Sequence, residues 1–564
     1  MEQPSRILRN IRVPMRDGVG LSTNVFLPVE DGRFPVVLVR TAYNKHGIGP
    51  GDWTRRGFAM VAQDCRGRYD SEGTWYPFIH EGQDGFDALE WIGAQPWCNG
   101  RIGMFGDSYL AATQFTAAAE GSRFLKALVP RFMAGDCWKR AYYCDGAFSL
   151  GLTWSWLCFE CSGPTSGAAL MPLFDVGGLL RTLPLLTLDE RSGCVTEPAA
   201  YRDCLRHSRY DAFWERFNFR ARWNERVTAP MLLIGGWYDY YAGETFLNYR
   251  RLRETAASPE LRDSHRVLVG PWTHGISSSP RLGQLDFGPA ALAENDATVR
   301  WLEGLLQGRP PAACQAAPIR LFVMGANVWR DEQEWPLARA RTVPWYLHSS
   351  GAANSLLGDG TLSPEPPGAE PPDRYTYDPD DPVPTLGGNH SVGPYNPGLY
   401  ELALPGPYDQ RPIERRDDVL GFTSEPLAAD TEVTGPVTVT LWAATSAADT
   451  DFVARLVDVY PDGRAINITE GILRARYRQS VWGAPQPLEP GRPLPYTIDL
   501  QATSNLFRQG HRLRVDITSS SFPLWDRNLN TGAEPGEGLT ARPAAQTILH
   551  DQEHPSCIAL PVVP

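Results

Sequence analysis

The sequence contains no uninterrupted stretch of 18 apolar residues, so none reads as a membrane-spanning helix. It has no long basic run. Its formal charge of -12 would repel phosphate, which argues against a nucleic-acid partner. The opening residues, MEQPSRILRNIRVPMRDG, lack the apolar stretch of a secretory signal. Cysteine is sparse, with ten thiols scattered over 564 residues, which excludes a disulfide scaffold. Cys158-Phe159-Glu160-Cys161 is a CxxC pair without a second pair or a histidine at zinc spacing, so it reads as buried thiols. No metal and no organic cofactor are expected, and a cytoplasmic location fits this thiol usage. Glycine and proline are abundant, at 53 and 49, and call for many tight turns and short strands. Apolar residues at 42% and charged residues at 21% describe a folded chain, and its length calls for two or three domains.

The alternation of elements predicts an α/β fold. Gly18–Pro28, Phe34–Arg40, Phe58–Asp64, the run into Ser108, and Phe124–Pro130 read as strands; Glu81–Ile92 and Ala111–Glu120 read as the helices between them. The pattern resumes with strands at 229–236, 265–270 and 319–325 and helices at 246–252 and 291–306. Residues 136–223 interrupt it with aromatic-rich, strand-poor sequence and read as a helical insertion. From about 343, alternating strands such as 437–443, 451–459 and 511–517 lie between Pro-Gly turns, which predicts a jelly-roll β-sandwich after a loop-rich entry at 351–400. The expected domains are therefore 1–135 and 229–342 for the α/β core, 136–228 for a helical cap and 343–564 for the sandwich.

The stretch Gly106-Asp107-Ser108-Tyr109-Leu110 ends a strand and opens a helix, as a nucleophilic serine requires. The second glycine usual in that motif is absent, with Leu110 in its place. A serine needs a base, and the base an orienting acid. Asp239 and His274 each follow a later strand directly, in the chain order Ser, acid, base, at the sheet edge where such folds bind ligands. Capping-turn and surface-loop readings of Asp239 and His274 stand beside this one. One oxyanion donor should be the backbone N–H of Tyr109. The loop Arg40-Thr41-Ala42-Tyr43-Asn44-Lys45 lacks a glycine run, so the Tyr43 hydroxyl is a candidate second donor, with a packed tyrosine as the alternative.

Several motifs resemble one family. They are Arg40-Thr41-Ala42-Tyr43-Asn44-Lys45, Gln63-Asp64-Cys65-Arg66-Gly67-Arg68, Ser71-Glu72-Gly73, Gly106-Asp107-Ser108-Tyr109-Leu110, Gly236-Trp237-Tyr238-Asp239 and Gly270-Pro271-Trp272-Thr273-His274, with Leu420–Leu427, Asp449–Phe452 and Asp458–Arg464 near the end. The sequence resembles the cocaine-esterase-like hydrolases, which include α-amino-acid ester hydrolases, glutaryl-cephalosporin acylases and, more distantly, Xaa-Pro dipeptidyl peptidases. The resemblance implies an α/β-hydrolase fold with an inserted helical cap and a C-terminal jelly roll. It implies Ser108 as nucleophile, His274 as base, Asp239 as orienting acid, and Tyr43 and Tyr109 as oxyanion donors. It also allows a homodimer.

Asp107 departs from the family, where this position is small, apolar or basic. It either tunes His274 and the substrate's charge or pairs locally within the protein. Trp138, Tyr142, Tyr143, Phe148, Trp154 and Trp156 of the insertion, with Trp237, suggest an apolar acyl pocket, although a cap also needs a core. The expected reaction is hydrolysis of a small-molecule carboxylic ester of a bulky acyl group through an acyl-enzyme. The alternatives are an Xaa-Pro peptidase or α-amino acyl ester hydrolase, for which Asp136, Asp145 and Glu160 would have to converge on an ammonium, and an acyltransferase or cyclase.

Overall fold

The computed structural model describes residues 6–161, 163–166, 175–193, 199–309, 317–390 and 404–564. Part of the expected loop-rich entry, residues 391–400, lies outside these. The first half is built on a mixed sheet. Its strands begin with β1 (Arg6–Pro14), β2 (Gly20–Leu27), β3 (Phe34–Thr41), β4 (Ala59–Asp64), β5 (Cys98–Asp107) and β6 (Leu125–Arg131). A two-residue hairpin follows in the insertion, β7 (Tyr143–Cys144) with β8 (Ala147–Phe148). The sheet continues with β9 (Leu232–Gly236) and β10 (Arg266–Gly270). A second short hairpin, β11 (Arg281–Leu282) with β12 (Leu285–Asp286), precedes β13 (Ile319–Val323) and β14 (Val328–Glu332).

The sheet order is β1-β2-β4-β3-β5-β6-β9-β10-β13-β14, with parallel pairing from β4 across to β13 and antiparallel strands at both edges. The edge strands β1 and β14 escaped the sequence reading, because their mostly exposed, charge-rich residues lack the apolar run of a central strand. Val36 and Leu38 bury on one face of β3, against the side that carries α1 (Glu81–Gly93) and α2 (Tyr109–Glu120). Val37 and Val39 bury on the other, against Trp301, Leu302 and Leu306. The last three belong to the helix Ala297–Leu306, which is shorter than expected. Residues Pro289–Leu292 form a separate 3₁₀ turn, and Glu294, between the two, is held by Arg320 at 2.8 Å and by Arg300.

The insertion after β6 is a set of short helical turns, with π-type turns at Trp138–Tyr142 and Ser155–Glu160. The final third is a large connected sheet, eleven-stranded among the described residues. Its 15-residue strand Thr431–Thr445 pairs with Leu494–Phe507 on one side and with Ala544–Leu549 and Cys557–Val563 on the other. Loops between the strands of this sheet hold the insertion directly. Trp138 Nε1 donates to Val481 O at 3.1 Å, Gly151 N to Pro523 O at 2.9 Å, and Phe148 N to Asp526 Oδ1 at 2.7 Å. No helix among the described residues is long and apolar enough to cross a membrane.

Candidate active site

Ser108 stands between the end of β5 and the first residue of α2, with φ 56° and ψ −119°. A non-glycine residue there carries strain of about 1–3 kcal/mol and persists only where its surroundings hold it. Here Ser108 N donates to Arg131 O at 2.9 Å, while Ser108 O accepts from the amides of Ala111 and Ala112 at 2.8 and 3.1 Å. Gly106 makes the turn sterically feasible. It has φ 150°, and a Cβ on it would stand 2.4 Å from Leu110 Cβ. The missing second glycine is thereby explained: Leu110 fits because the residue four positions earlier has no side chain.

Asp239 and His274 are presented by two turns that interlock. Trp237 N donates to Gly270 O at 2.9 Å, and Tyr238 N to Trp272 O at 2.9 Å. The glycines of both motifs are spatial necessities, since a Cβ on Gly236 would lie 2.3 Å from Trp272 O and one on Gly270 2.5 Å from the Trp272 ring. His274 Nδ1–H donates to Asp239 Oδ1 at 2.7 Å, and Asp239 Oδ2 accepts from Tyr241 N at 3.3 Å. Asp239 is fully buried and His274 half-buried. Burial disfavours the imidazolium, but the charge and hydrogen bond of Asp239 and the charge of Asp107 outweigh it and hold the His274 pKa above its ordinary value.

The loop after β3 is locked by its own motif residues. Lys45 is buried, and its Nζ reaches Asp64 Oδ2 at 3.0 Å and Asp70 Oδ2 at 2.6 Å. Asn44 adopts φ 80°, and its side chain accepts from His46 N at 2.9 Å. His46 itself pairs with Asp70 at 2.8 Å. Tyr43, just before this lock, lines the cavity that contains Ser108 and His274. The Tyr109 ring points away into the core, where its hydroxyl donates to Glu81 Oε1 at 2.7 Å. Its backbone N–H lies in the first turn of α2, where helical amides have no acceptor within the helix.

The cavity has a volume of about 390 Å³. Its wall is mainly apolar and aromatic: Phe78, Phe105, Tyr142, Trp156 and Tyr241 surround the serine, with Met133, Cys137 and Leu152 between them. Asp107 and Arg131 also line it and form an ion pair with each other. Of the residues expected at the pocket, Asp107, Tyr142 and Trp156 are on its wall. Trp138, Tyr143, Phe148, Trp154 and Trp237 are not, and each correction has the same physical reason. All five are buried in the interior with other partners: Trp154 Nε1 donates to Ser192 Oγ at 2.8 Å, Trp237 Nε1 to Phe322 O at 2.7 Å, Tyr143 Oη to Cys204 O at 3.0 Å, Trp138 reaches Val481, and Phe148 packs on Tyr143 at 5.3 Å. Phe78, Met133, Leu152 and Tyr241 escaped the sequence reading because nothing in their spacing separates a cavity wall from a core.

Asp136, Asp145 and Glu160 do not converge. Asp136 caps its own turn through Trp138 N at 2.8 Å, Asp145 pairs with Arg140 at 3.0 Å, and Glu160 accepts from Ser166 Oγ at 2.9 Å. None of the three lines the cavity. No group of three or more potential metal ligands occurs among the described residues.

A strained serine at a strand–helix turn shares one cavity wall with a histidine whose aspartate partner, like itself, follows a later strand of the same sheet, and this points to the class: a serine hydrolase of the α/β type. Residues 17–276 match the family model for X-Pro dipeptidyl-peptidase (S15 family), and residues 312–559 match that for the X-Pro dipeptidyl-peptidase C-terminal non-catalytic domain. The chain is 38% identical to a cocaine esterase of Rhodococcus sp. over 590 residues, covering 99% of this chain and 98% of that one. An α-amino acid ester hydrolase has a similar solved structure, with 25% identity, a TM-score of 0.83, and coverage of 99% of this chain and 96% of that one. An aminopeptidase from a marine sediment archaeon of the Thaumarchaeota is similar at 25% identity and a TM-score of 0.84, with coverage of 99% and 97%. The chain belongs to the CocE/NonD family of X-Pro dipeptidyl-peptidase-like serine hydrolases, and it is a serine hydrolase that acts through a catalytic triad.

Proposed function

We propose that Ser108, His274 and Asp239 are that triad, and that they hydrolyse small-molecule carboxylic esters with a bulky, apolar acyl group. The observation that carries this reading is the 2.7 Å bond from His274 Nδ1 to the buried Asp239, with His274 on the wall of the cavity that Ser108 also lines from a strained turn. Asp239 fixes the tautomer that leaves His274 Nε2 able to accept the Ser108 proton. The serine oxygen attacks the carbonyl, and the oxyanion meets the Tyr43 hydroxyl and the Tyr109 N–H. His274 then returns the proton to the leaving alcohol, and water repeats the cycle to release the acid.

The aromatic wall supports an apolar acyl group. An α-amino acyl substrate would need a carboxylate for its ammonium. Asp107, the one carboxylate on the cavity wall among the described residues, is already engaged by Arg131. The arrangement is best described as an α/β-hydrolase core at 1–135 and 229–342, a helical cap at 136–228 and a jelly roll at 343–564. A reducing cytoplasm suits a chain whose cysteines are mostly interior, seven being buried among the described residues.

The test is direct. A serine-directed phosphonate should leave one adduct, on Ser108, and its absence there would overturn the assignment. A p-nitrophenyl ester of an aromatic acid should be turned over far faster than an Ala-Pro-nitroanilide. Preference for the anilide would instead place the activity with the dipeptidyl peptidases.

A further inference from the structure

The phenol of Tyr43 does not stand alone at the cavity. Trp156 Nε1 donates to Tyr43 Oη at 2.9 Å. An indole N–H can only donate, so the phenol oxygen is the acceptor and its own hydrogen takes no part in that bond. The two residues come from different parts of the chain: Tyr43 from the loop after β3, Trp156 from the π-type turn Ser155–Glu160 of the insertion. Such turns are rare and concentrate at functional sites. The other π-type turn of the insertion, Trp138–Tyr142, also brings an aromatic residue, Tyr142, to the same cavity.

A second link ties the same two segments. Arg68 is fully buried. Its Nε donates to Ala42 O at 2.8 Å, beside Tyr43, while Nη2 donates to Glu160 O at 3.0 Å and Nη1 to Gly163 O. One guanidinium therefore spans the backbone before the tyrosine and the backbone after the tryptophan. Aromatic contacts hold the indole in plane: Phe78 stacks on it at 5.8 Å, and Trp75 meets it edge-on at 6.2 Å.

We infer that Trp156 is a positioning residue for the oxyanion donor Tyr43, and that through this bond, braced by Arg68, the insertion sets the oxyanion hole as well as shaping the acyl pocket. The inference rests on the reading of Tyr43 as an oxyanion donor. By accepting from the indole, the phenol is held in one rotation about its C–O bond, with its hydrogen directed away from Trp156. The accepted bond also makes that hydrogen a stronger donor.

The experiment is a double-mutant cycle on the full chain with p-nitrophenyl benzoate, reading kcat and KM separately. Trp156→Phe keeps an aromatic side chain and removes the N–H. It should lower kcat about ten-fold, the size of one lost hydrogen bond felt in the transition state, with KM within about two-fold of the parent. In a Tyr43→Phe background the same change should cost less than about two-fold, because there is no phenol left to position. Equal losses in both backgrounds, or a loss confined to KM, would overturn the inference and leave Trp156 as pocket wall. A Tyr43→Phe variant with the parent's kcat would instead remove the oxyanion reading of Tyr43, and this inference with it. Thermal melting precedes the kinetics, and Trp156→Leu, which likewise lacks a donor, takes the place of Trp156→Phe should the latter not fold.

Discussion

Arg131 closes an ion pair on Asp107, the residue immediately before Ser108, the proposed nucleophile, and the backbone carbonyl of the same arginine accepts from the Ser108 amide at 2.9 Å. The pair is local, as a carboxylate beside a nucleophile is expected to be, yet it is not hidden. The Asp107 side chain is 39% exposed and faces the cavity that contains His274.

Its electrostatic effect gives the first prediction. The charge of Asp107 adds to that of Asp239 in raising the His274 pKa against burial. A base must be neutral to act, so the acid limb of kcat/KM should follow that raised pKa. Asp107→Asn should move this limb to lower pH, with little loss at the plateau. A pH profile on one ester measures it, and an unmoved limb would mean that Arg131 neutralises the carboxylate fully.

Removing the acid should be far more severe. Asp239→Asn keeps the shape but lets His274 adopt the wrong tautomer, and kcat should fall about 10⁴-fold with KM little changed. Steady-state kinetics on the same ester tests this.

Gly106→Ala combines a Cβ 2.4 Å from Leu110 Cβ with a φ of 150° that an L residue rarely adopts. Melting should reveal a loss of at least about 2 kcal/mol. Adding Leu110→Ala should return only part of it, because that change relieves the clash and leaves the backbone strain.

A fourth prediction concerns stability in the C-terminal sheet. His550 is fully buried, with Nε2 at 2.9 Å from Asp373 Oδ2 and Nδ1 at 3.1 Å from Glu370 Oε2. Burial works against its charge, but the two carboxylates prevail and raise its pKa. A raised folded pKa stabilises fully below the unfolded value of about 6.5 and loses that contribution as pH climbs through the folded value. The melting temperature should therefore fall as pH rises from about 6.5 through the raised folded value. His550→Gln should be less stable near pH 6 and show a flatter alkaline decline, which circular-dichroism melts across that range would resolve.

Much of this site is legible in the sequence because its chemistry sits at strand ends. Asp239 and His274 follow β9 and β10 directly, and short apolar runs announce both strands. The motif around Tyr43 is likewise local, and the buried Lys45–Asp64 pair joins two stretches that already look distinctive. What escapes is what depends on burial alone. Trp154 and Trp156 are two residues apart and chemically alike, yet one is sealed against Ser192 while the other faces the cavity. The Trp156–Tyr43 bond spans 113 residues, and no pattern in either segment announces it. The acidic cluster failed for a related reason: in an insertion with its own interior, carboxylates find arginines and backbone amides before they find one another.

The interlocked turns of Trp237, Tyr238, Gly270 and Trp272 make the acid and the base a single piece of fabric, independent of the insertion's aromatic wall. That separates two kinds of freedom for anyone recasting the substrate range. Tyr142 and Leu152 can be exchanged to reshape the acyl chamber while the proton relay keeps its dimensions. Trp156 offers no such latitude: an edit made there to widen the chamber also removes the hydrogen bond on Tyr43, and with it the proposed hold on the reaction intermediate.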